Sequence, residues 1–323
     1  MFQPNSGEVK IFSGTSNPNL VKNICERLDL PVGKITIKKF KDEEIIATYD
    51  ENIRDTDCFL IQSTCKPVNS HLMELLIMID AAKRSSAARV TTVIPYYGYA
   101  RQDRKNKPRV PITAKLVANL LESAGADRVL TLDLHSGQIQ GFFDIPLDNL
   151  YASKNLVQEI AKLKARNNLI VVSPDVGGVK RTRAAAKLLD LPLAIIDKRR
   201  GDANQSEVMH IIGDVKGKNA LLFDDMIDTA GTICNAADAL KAEGAKEIYG
   251  MATHPVLSGD AIDKINKSAF KKVYVTDTIP LNARKKSKKI QVVPIGDLIG
   301  DAIRRIHDGH SISSLFPQTE DLA

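Results

Sequence analysis

The pattern of apolar and polar positions resolves the chain into short β-type runs separated by stretches of helical period. The β-type runs are Cys58 to Gln62, Arg89 to Ile94, Arg128 to Leu132, Leu169 to Val172, Leu193 to Ile196, Ala220 to Phe223, Glu247 to Met251 and Val273 to Thr276. Between them Leu72, Leu75, Leu76 and Ile79 recur at helical spacing, as do Leu116, Leu120 and Leu121, then Leu156, Ile160 and Leu163, then Ile233, Ala237 and Leu240. Gly125 and Gly244 are placed to stop two of these helices. Strands alternating with helices predict an α/β fold with largely parallel sheets.

The two halves of the chain share a weak pattern. Phe59-Leu60-Ile61, a loop, a helix and a strand opening at Ala88-Arg89-Val90 are matched by Leu221-Leu222-Phe223, a loop, a helix and a strand opening at Ala245-Lys246-Glu247. The offset of about 160 residues is far too long for a solenoid repeat and fits two similar α/β domains. The boundary is expected near Tyr151, giving domains 1–150 and 151–323, with the final segment free to pack back on the first domain.

Composition changes this picture little. At 323 residues, with 43% hydrophobic and 26% charged residues, the chain has the make-up of an ordinary globular protein with room for two domains. No apolar run approaches the roughly 20 residues of a membrane helix, and Met1-Phe2-Gln3-Pro4-Asn5 lacks a signal peptide's pattern, so a cytoplasmic protein with no membrane partner is expected. Cys25, Cys58, Cys65 and Cys234 have no paired spacing and read as reduced, with Cys58 and Cys234 as small buried fillers. A net charge of +6 suits nucleic acid, a membrane surface or small polyanions equally, so the positions of the charges must decide.

The most informative positions are Asp224-Asp225-Met226-Ile227-Asp228-Thr229-Ala230-Gly231-Thr232, which follow the apolar run Ala220 to Phe223 and precede a helix. That places all nine at a strand-to-helix turn. Such a turn can aim several N–H groups and a helix dipole at one phosphate. Asp224 and Asp225 would repel a bare phosphate, so the ligand should also carry hydroxyls or a metal, as a phosphorylated sugar does. The bland alternative is a Rossmann-like turn with helix-capping Asp residues.

Other strand ends carry charge as well. Tyr99-Ala100-Arg101-Gln102-Asp103-Arg104-Lys105 follows Pro95-Tyr96-Tyr97-Gly98; it reads either as a nucleotide-binding loop, with Arg on phosphate and Gln on a base edge, or as a solvated basic loop. Asp133-Leu134-His135-Ser136, with Gly141-Phe142-Phe143-Asp144 and Asp148, offers imidazole and carboxylate to a Mg²⁺ bound with phosphates, although a lone His is more often structural. Ser173-Pro174-Asp175-Val176-Gly177-Gly178 is either a carboxylate-bearing ligand loop or a plain Asp turn. Lys198-Arg199-Arg200-Gly201-Asp202-Ala203-Asn204 follows Ala194 to Asp197 and loses apolar period until Val208, as a cationic flap over transferring phosphates would, or a solvated charge run. Ala283-Arg284-Lys285-Lys286-Ser287-Lys288-Lys289 lacks interleaved aromatics and reads as a solvated loop, so no nucleic-acid partner is expected.

Together these motifs resemble class I ribose-phosphate pyrophosphokinase, also called phosphoribosyl pyrophosphate synthetase, from about Ile11 to Phe316. The most specific matches are Ser63-Thr64-Cys65 through Asn69, Tyr99 to Lys105, Asp133-Leu134-His135 with Gln138 to Asp144, Lys198-Arg199-Arg200, and Asp224 to Thr232. The resemblance implies two phosphoribosyltransferase-like domains, each with a mostly parallel central sheet flanked by helices, and assembly into homohexamers with ATP loops contributed across a subunit interface. It implies transfer of the β,γ-diphosphoryl group of ATP to the 1-hydroxyl of ribose 5-phosphate, giving phosphoribosyl pyrophosphate and AMP. By resemblance, Asp228, Thr229, Ala230, Gly231 and Thr232 cradle the 5-phosphate, Asp224 and Asp225 hold ribose hydroxyls, and Arg200 also touches the sugar phosphate. Lys198 is the principal catalytic cation with Arg200 beside it; Phe40, Asp42, Glu43, Glu44, Arg101 and Gln102 hold ATP; His135 and Asp175 are Mg²⁺ positions. Inorganic phosphate and ADP are implied as regulators at a site matched by Arg54, Arg104 and Ser311 to Phe316.

Two positions depart from the family's pattern: Glu43 stands where F-x-D-G-E has Gly, and Gly201 where Pro often follows K-R-R. If position 43 needs positive φ, Glu there costs on the order of 1 kcal/mol. Gly201 should loosen the flap hinge. A phosphoribosyltransferase shares the acidic loop but consumes phosphoribosyl pyrophosphate, and the Arg101, His135 and Lys198 segments favour synthesis. A non-catalytic regulatory relative is disfavoured by intact Lys198, Arg200, His135 and Asp224, and a repressor by the lack of a helix-turn-helix segment.

Overall fold

The computed structural model describes residues 7–163, 168–199, 208–282 and 287–316, so Arg200 and Gly201 lie outside the described residues, as do Ala283 to Lys286 of the basic run. In chain order the elements are β1 (Val9–Ser13), α1 (Pro18–Leu28), β2 (Ile35–Lys39), β3 (Ile45–Tyr49), β4 (Asp57–Ile61), α2 (Val68–Arg84), β5 (Arg89–Ile94), α3 (Thr113–Ala124), β6 (Arg128–Leu132) and β7 (Leu147–Leu150). There follow α4 (Ser153–Ala161), β8 (Leu169–Ser173), α5 (Val179–Leu189), β9 (Leu193–Arg199), β10 (Val208–Ile212), β11 (Asn219–Ile227), α6 (Gly231–Ala242), β12 (Ile248–Pro255), α7 (Ala261–Lys267), β13 (Phe270–Thr276), β14 (Ile290–Val293) and α8 (Gly296–His307). No helix among the described residues is long and apolar enough to cross a membrane. The chain divides into two compact units: Met1–Tyr151 with Thr278–Pro280 and Ile295–Phe316, and a second that contains Ala152–Asp277 and Leu281–Pro294.

The first unit is built on a five-stranded sheet of order β1-β4-β5-β6-β7, every neighbouring pair parallel. A parallel sheet needs helical crossovers, which cover both faces, and β4 is accordingly buried at all five positions. Leu60, Val90 and Ile94 pack in one core with Leu75, Met78 and Ile79 of α2 and Val117 and Leu121 of α3. Asn17 caps α1 through its side chain, which accepts from the Leu20 N–H at 3.4 Å. α8 lies close against α1: a Cβ at Gly296 or Gly300 would come within 2.9 Å of Asn23 or Arg27 side-chain carbons, so the approach requires glycine. Arg27 fixes this pair by its ion pair to Asp301 at 2.9 Å.

The carboxylate of Asp57, at the start of β4, is completely buried. It accepts from Arg89 Nε at 2.8 Å and lies 2.9 Å from His307 Nδ1, while Arg89 Nη2 donates to the Ile306 carbonyl at 3.2 Å. One buried charge thus ties the last turn of α8 to two neighbouring strands.

The second unit holds a seven-stranded sheet of order β10-β9-β8-β11-β12-β13-β14, parallel except for β10, which runs antiparallel to β9. Ile170, Val172, Leu222 and Val275 pack with Ile233 and Leu240 of α6 and Ile265 of α7. Strands β8-β11-β12-β13-β14 repeat the order β1-β4-β5-β6-β7, so the weak match between halves has a physical counterpart. The α/β reading with two mostly parallel sheets holds.

Some sequence boundaries shift. β11 continues to Ile227, so Asp224 and Asp225 belong to the strand and the turn is only Asp228 to Ala230. β9 runs through Lys198 and Arg199, whose backbones pair with Met209 and Val208, so the first part of the flap is strand rather than loop. Leu163 lies past the end of α4. Asp148 is not available to a metal: it pairs with Arg128 at 2.6 Å across β6 and β7.

Because Asp57 is fully buried, its removal strands the Arg89 guanidinium. Asp57→Ala is expected to destabilise the protein by about 3–5 kcal/mol in chemical denaturation, and a loss under 1 kcal/mol would contradict the role given to this cluster.

Candidate functional site

In a parallel sheet all strands deliver their carboxyl ends to one edge, where ligand loops collect. In the second unit that edge gathers the loop Pro174 to Gly178 after β8, the end of β9, and the turn Asp228 to Ala230 after β11. Beyond the turn, α6 begins without a side-chain cap, so its first N–H groups meet no side-chain acceptor of the cap type. Ala230 is left-handed, φ 59°, which swings the chain sharply into the helix. A Cβ built on Gly231 would find its nearest neighbour 3.9 Å away, at Thr229 Oγ1, so the space over the turn is open. Thr229 and Thr232 are exposed beside it. Backbone donors, a helix N-terminus and two hydroxyls around open space form a cradle for a phosphate.

Asp224 and Asp225 stand immediately before the turn. β8 accompanies β11 only to Leu222, and past that point the first turn of α5 takes its place. Thr182 of α5 donates through Oγ1 to the Gly178 carbonyl at 2.9 Å and approaches the Phe223 carbonyl at 3.4 Å, seating the helix there. Arg181, one residue earlier, reaches both acids: Nη1 is 2.9 Å from Asp225 Oδ1 and 3.3 Å from Asp224 Oδ1. The Asp225 N–H donates to Asp224 Oδ1 at 2.8 Å. Asp225 is buried, whereas Asp224 keeps a quarter of its side chain exposed, at 24%. Burial, and then repulsion from Asp225, push the Asp224 carboxyl up to about 8 although Arg181 pulls the other way.

Arg181 was not among the residues singled out from the sequence. A signal for it exists: Lys180, Arg181 and Arg183 crowd the amino-terminal half of α5, where the helix dipole disfavours cations unless anions face them.

Asp175 sits half-buried in the Ser173 to Gly178 loop, with Oδ1 accepting from the Gly178 N–H at 2.8 Å and its carbonyl accepting from Ser173 Oγ at 2.7 Å. The backbone of Lys198 lies one residue before the end of β9, at the same sheet edge.

The remaining sequence-derived positions lie in the first unit. β2 and β3 form a separate antiparallel hairpin whose tip is Phe40 to Glu44. The Phe40 N–H donates to the Glu44 carbonyl at 2.8 Å, the Glu43 N–H to the Phe40 carbonyl at 3.0 Å, and Glu44 N–H to Asp42 Oδ1 at 3.3 Å. Glu43 closes this tip with φ 75°, so position 43 does demand the left-handed region. Phe40, Asp42, Glu43 and Glu44 are all exposed. Arg101, Gln102 and Arg104 lie on the exposed loop after β5, where Gln102 Oε1 accepts from Thr113 Oγ1 at 2.5 Å. His135 is exposed after β6, next to the buried Asp133. Arg54 is exposed before β4; Ser311 accepts through its carbonyl from Arg305 Nη1 at 2.9 Å, and Phe316 packs edge-on against Tyr151 at 6.0 Å. Among the described residues no group of three or more His, Cys, Asp and Glu side chains converges as a metal site.

The first unit's counterpart of the phosphate turn, between β4 and α2, is closed by its own polar groups. Thr64 Oγ1 accepts from the Gly98 N–H at 2.6 Å and Ser63 Oγ donates to the Thr278 carbonyl at 2.6 Å. Gln62 and Glu74 bond to each other at 2.6 Å and to Ser16 and Thr15.

A family model described as the N-terminal domain of ribose phosphate pyrophosphokinase matches residues 9–125, and one described as the phosphoribosyl synthetase-associated domain matches 202–317. The ribose-phosphate pyrophosphokinase of Chlorobaculum tepidum is 59% identical over 308 residues, 95% of this chain and 95% of its own length. The chain belongs to the ribose-phosphate pyrophosphokinase family. The Rhizobium meliloti member of this family is 55% identical over 309 residues, spanning 95% of this chain and 100% of the relative. A crystal structure of phosphoribosylpyrophosphate synthetase from Mycobacterium smegmatis matches with a TM-score of 0.89 at 42% identity, covering 94% of this chain and 100% of that one. Membership in the ribose-phosphate pyrophosphokinase family makes this chain an enzyme.

Two measurements probe the geometry. Glu43→Gly is expected to stabilise the hairpin tip by about 1 kcal/mol in denaturant unfolding, because glycine adopts positive φ without strain; no gain would mean that the tip is not strained. Asp224 binds its proton more tightly folded than unfolded, so its contribution to stability falls as pH rises from 3.8 towards about 8. Over that range the stability of Asp224→Asn should gain on the natural chain by on the order of 2 kcal/mol, and a gap independent of pH would contradict the burial of this acid.

Proposed function

We propose that the chain transfers the β,γ-diphosphoryl group of ATP to the 1-hydroxyl of ribose 5-phosphate, yielding phosphoribosyl pyrophosphate and AMP. The observation that carries this reading is the junction of β11 and α6, where two held carboxylates stand directly before an open, glycine-floored phosphate cradle. Phosphate and hydroxyls of one sugar phosphate suit these neighbouring halves of a single site. The names of relatives over nearly the whole chain support the same reaction.

In this reading Asp228, Thr229, Ala230, Gly231 and Thr232 bind the 5-phosphate, and Asp224 with Asp225 accept from ribose hydroxyls. The sugar's 1-hydroxyl oxygen attacks the β-phosphorus in line, the bond to the α-phosphate oxygen breaks, and AMP leaves. The hydroxyl proton passes to solvent. Such a transfer needs alignment and neutralisation of charge more than a strong base. Lys198, on β9, and Arg200 supply the cations over the transferring group. Arg101 and Gln102, with Phe40, Asp42, Glu43 and Glu44, hold ATP.

The donor chemistry fits Mg²⁺ at Asp175, a half-buried carboxylate whose orientation is fixed by Gly178. His135, the other Mg²⁺ position, would offer a nitrogen, which Mg²⁺ takes less readily, so phosphate oxygens and water would fill most of a shell there. When bound, Mg²⁺ would neutralise charge on the phosphate oxygens. The homohexameric assembly, and regulation by inorganic phosphate and ADP through Arg54, Arg104, Ser311 and Phe316, belong to the same proposal. So does a cytoplasmic location.

The deciding experiment measures AMP and phosphoribosyl pyrophosphate formed from ATP and ribose 5-phosphate with Mg²⁺ and phosphate. Equal appearance of both products, reduced at least about a hundredfold in Lys198→Ala, is the expected result. A folded protein that binds ribose 5-phosphate without turnover would overturn the enzymatic reading, and full activity in Lys198→Ala would overturn the role of the cation.

A further inference from the structure

Adjacent residues of a strand normally face opposite sides of a sheet, yet Asp224 and Asp225 both direct Oδ1 at one guanidinium nitrogen. Two features permit this. β11 has lost its β8 neighbour beyond Leu222, and the Asp225 N–H folds back onto Asp224 Oδ1. The result is a compact unit of two carboxylates and one arginine, at 3.3 and 2.9 Å, in which Asp225 is buried and Asp224 and Arg181 are each about a quarter exposed, at 24% and 26%. Two acids this close repel each other, and burial pushes Asp224 up to about 8 even with the arginine present.

We infer that Arg181 is a positioning residue for the reaction, clamping Asp224 and Asp225 into one acceptor for the vicinal hydroxyls of the sugar. This rests on the reading of that pair as the ribose site. Arg181 meets the outer oxygens of neither substrate in this role. It sets the spacing of the two acids and, against burial and their mutual repulsion, favours the ionised form that accepts from hydroxyl donors. Its backbone position is held independently, because Thr182 is anchored to Gly178. A lysine at 181 would keep the charge but, as a point cation, would hold the pair less firmly than the planar guanidinium.

The test compares the full-length natural chain with Arg181→Lys, Arg181→Gln and Asp225→Asn, measuring KM for each substrate, kcat and the thermal midpoint. The expected result is a KM for ribose 5-phosphate raised about tenfold or more in Arg181→Gln and by less in Arg181→Lys, with KM for ATP unchanged and kcat altered far less. A ribose 5-phosphate KM within twofold of the natural value in both arginine variants, while Asp225→Asn raises it, would overturn the clamp and leave the ribose site standing. Should Arg181→Gln not fold, Arg181→Lys decides alone: a threefold or larger rise confined to ribose 5-phosphate supports the clamp, and no rise defeats it. If Asp225→Asn itself leaves ribose 5-phosphate binding intact, the acidic pair is not the sugar site and the clamp falls with it.

Discussion

Parallel strand pairing governs this molecule. It forces a crossover between neighbouring strands, the crossovers bury both faces of each sheet, and the only backbone left to meet a ligand is at the strand ends. In the second unit the carboxyl ends of β8, β9 and β11 share one edge, so the Pro174 to Gly178 loop, the end of β9 and the Asp228 to Ala230 turn are delivered to it without any one segment being long. The single antiparallel pairing in that sheet, β10 on β9, lets the chain leave this edge beyond Lys198 and come back to it.

Charge is the second constraint, and it is handled differently in the two units. Asp57 is buried among Arg89, His307 and the end of α8, where its partners are internal and its part is to hold the fold. Asp224 and Asp225 share the Arg181 guanidinium, and their closeness and burial raise the Asp224 carboxyl, so the cost of the pair is met by holding a proton as well as by pairing. Two acids this close are costly to folding, and strongly perturbed carboxyls of this kind cluster at functional sites.

Much of this was legible before any coordinates. Runs such as Arg89 to Ile94 and Arg128 to Leu132 coincide with β5 and β6 because fully buried parallel strands are continuous apolar segments. Short or half-exposed strands left no such trace: Ile290–Val293 is four residues with mixed exposure, and β2 is never fully buried and ends in two exposed lysines. α5 buries Thr182, Ala185, Ala186 and Leu189, so small side chains stand in for the leucine repeat there, whereas α8 carries a helical repeat of its own in Ile299, Ile303 and Ile306 and meets α1 through Gly296 and Gly300. The strand-to-helix turn near Asp228 was legible from residue type alone, whereas the extent of β11 and the approach of Arg181 to its acids depend on where β8 stops, a property of pairing that no local pattern encodes.

The sealed loop between β4 and α2 bears on how the two halves share their work. Strands β1-β4-β5-β6-β7 and β8-β11-β12-β13-β14 follow the same order, so the β4–α2 loop and the β11–α6 turn occupy equivalent places. In the first half Thr64 Oγ1 accepts from the Gly98 N–H, Ser63 Oγ donates to the Thr278 carbonyl and Gln62 donates to Glu74, so these polar side chains are engaged within the protein. Two equivalent places in a doubled architecture thus differ among the described residues: one has its polar side chains engaged internally, while the other keeps Thr229 and Thr232 exposed.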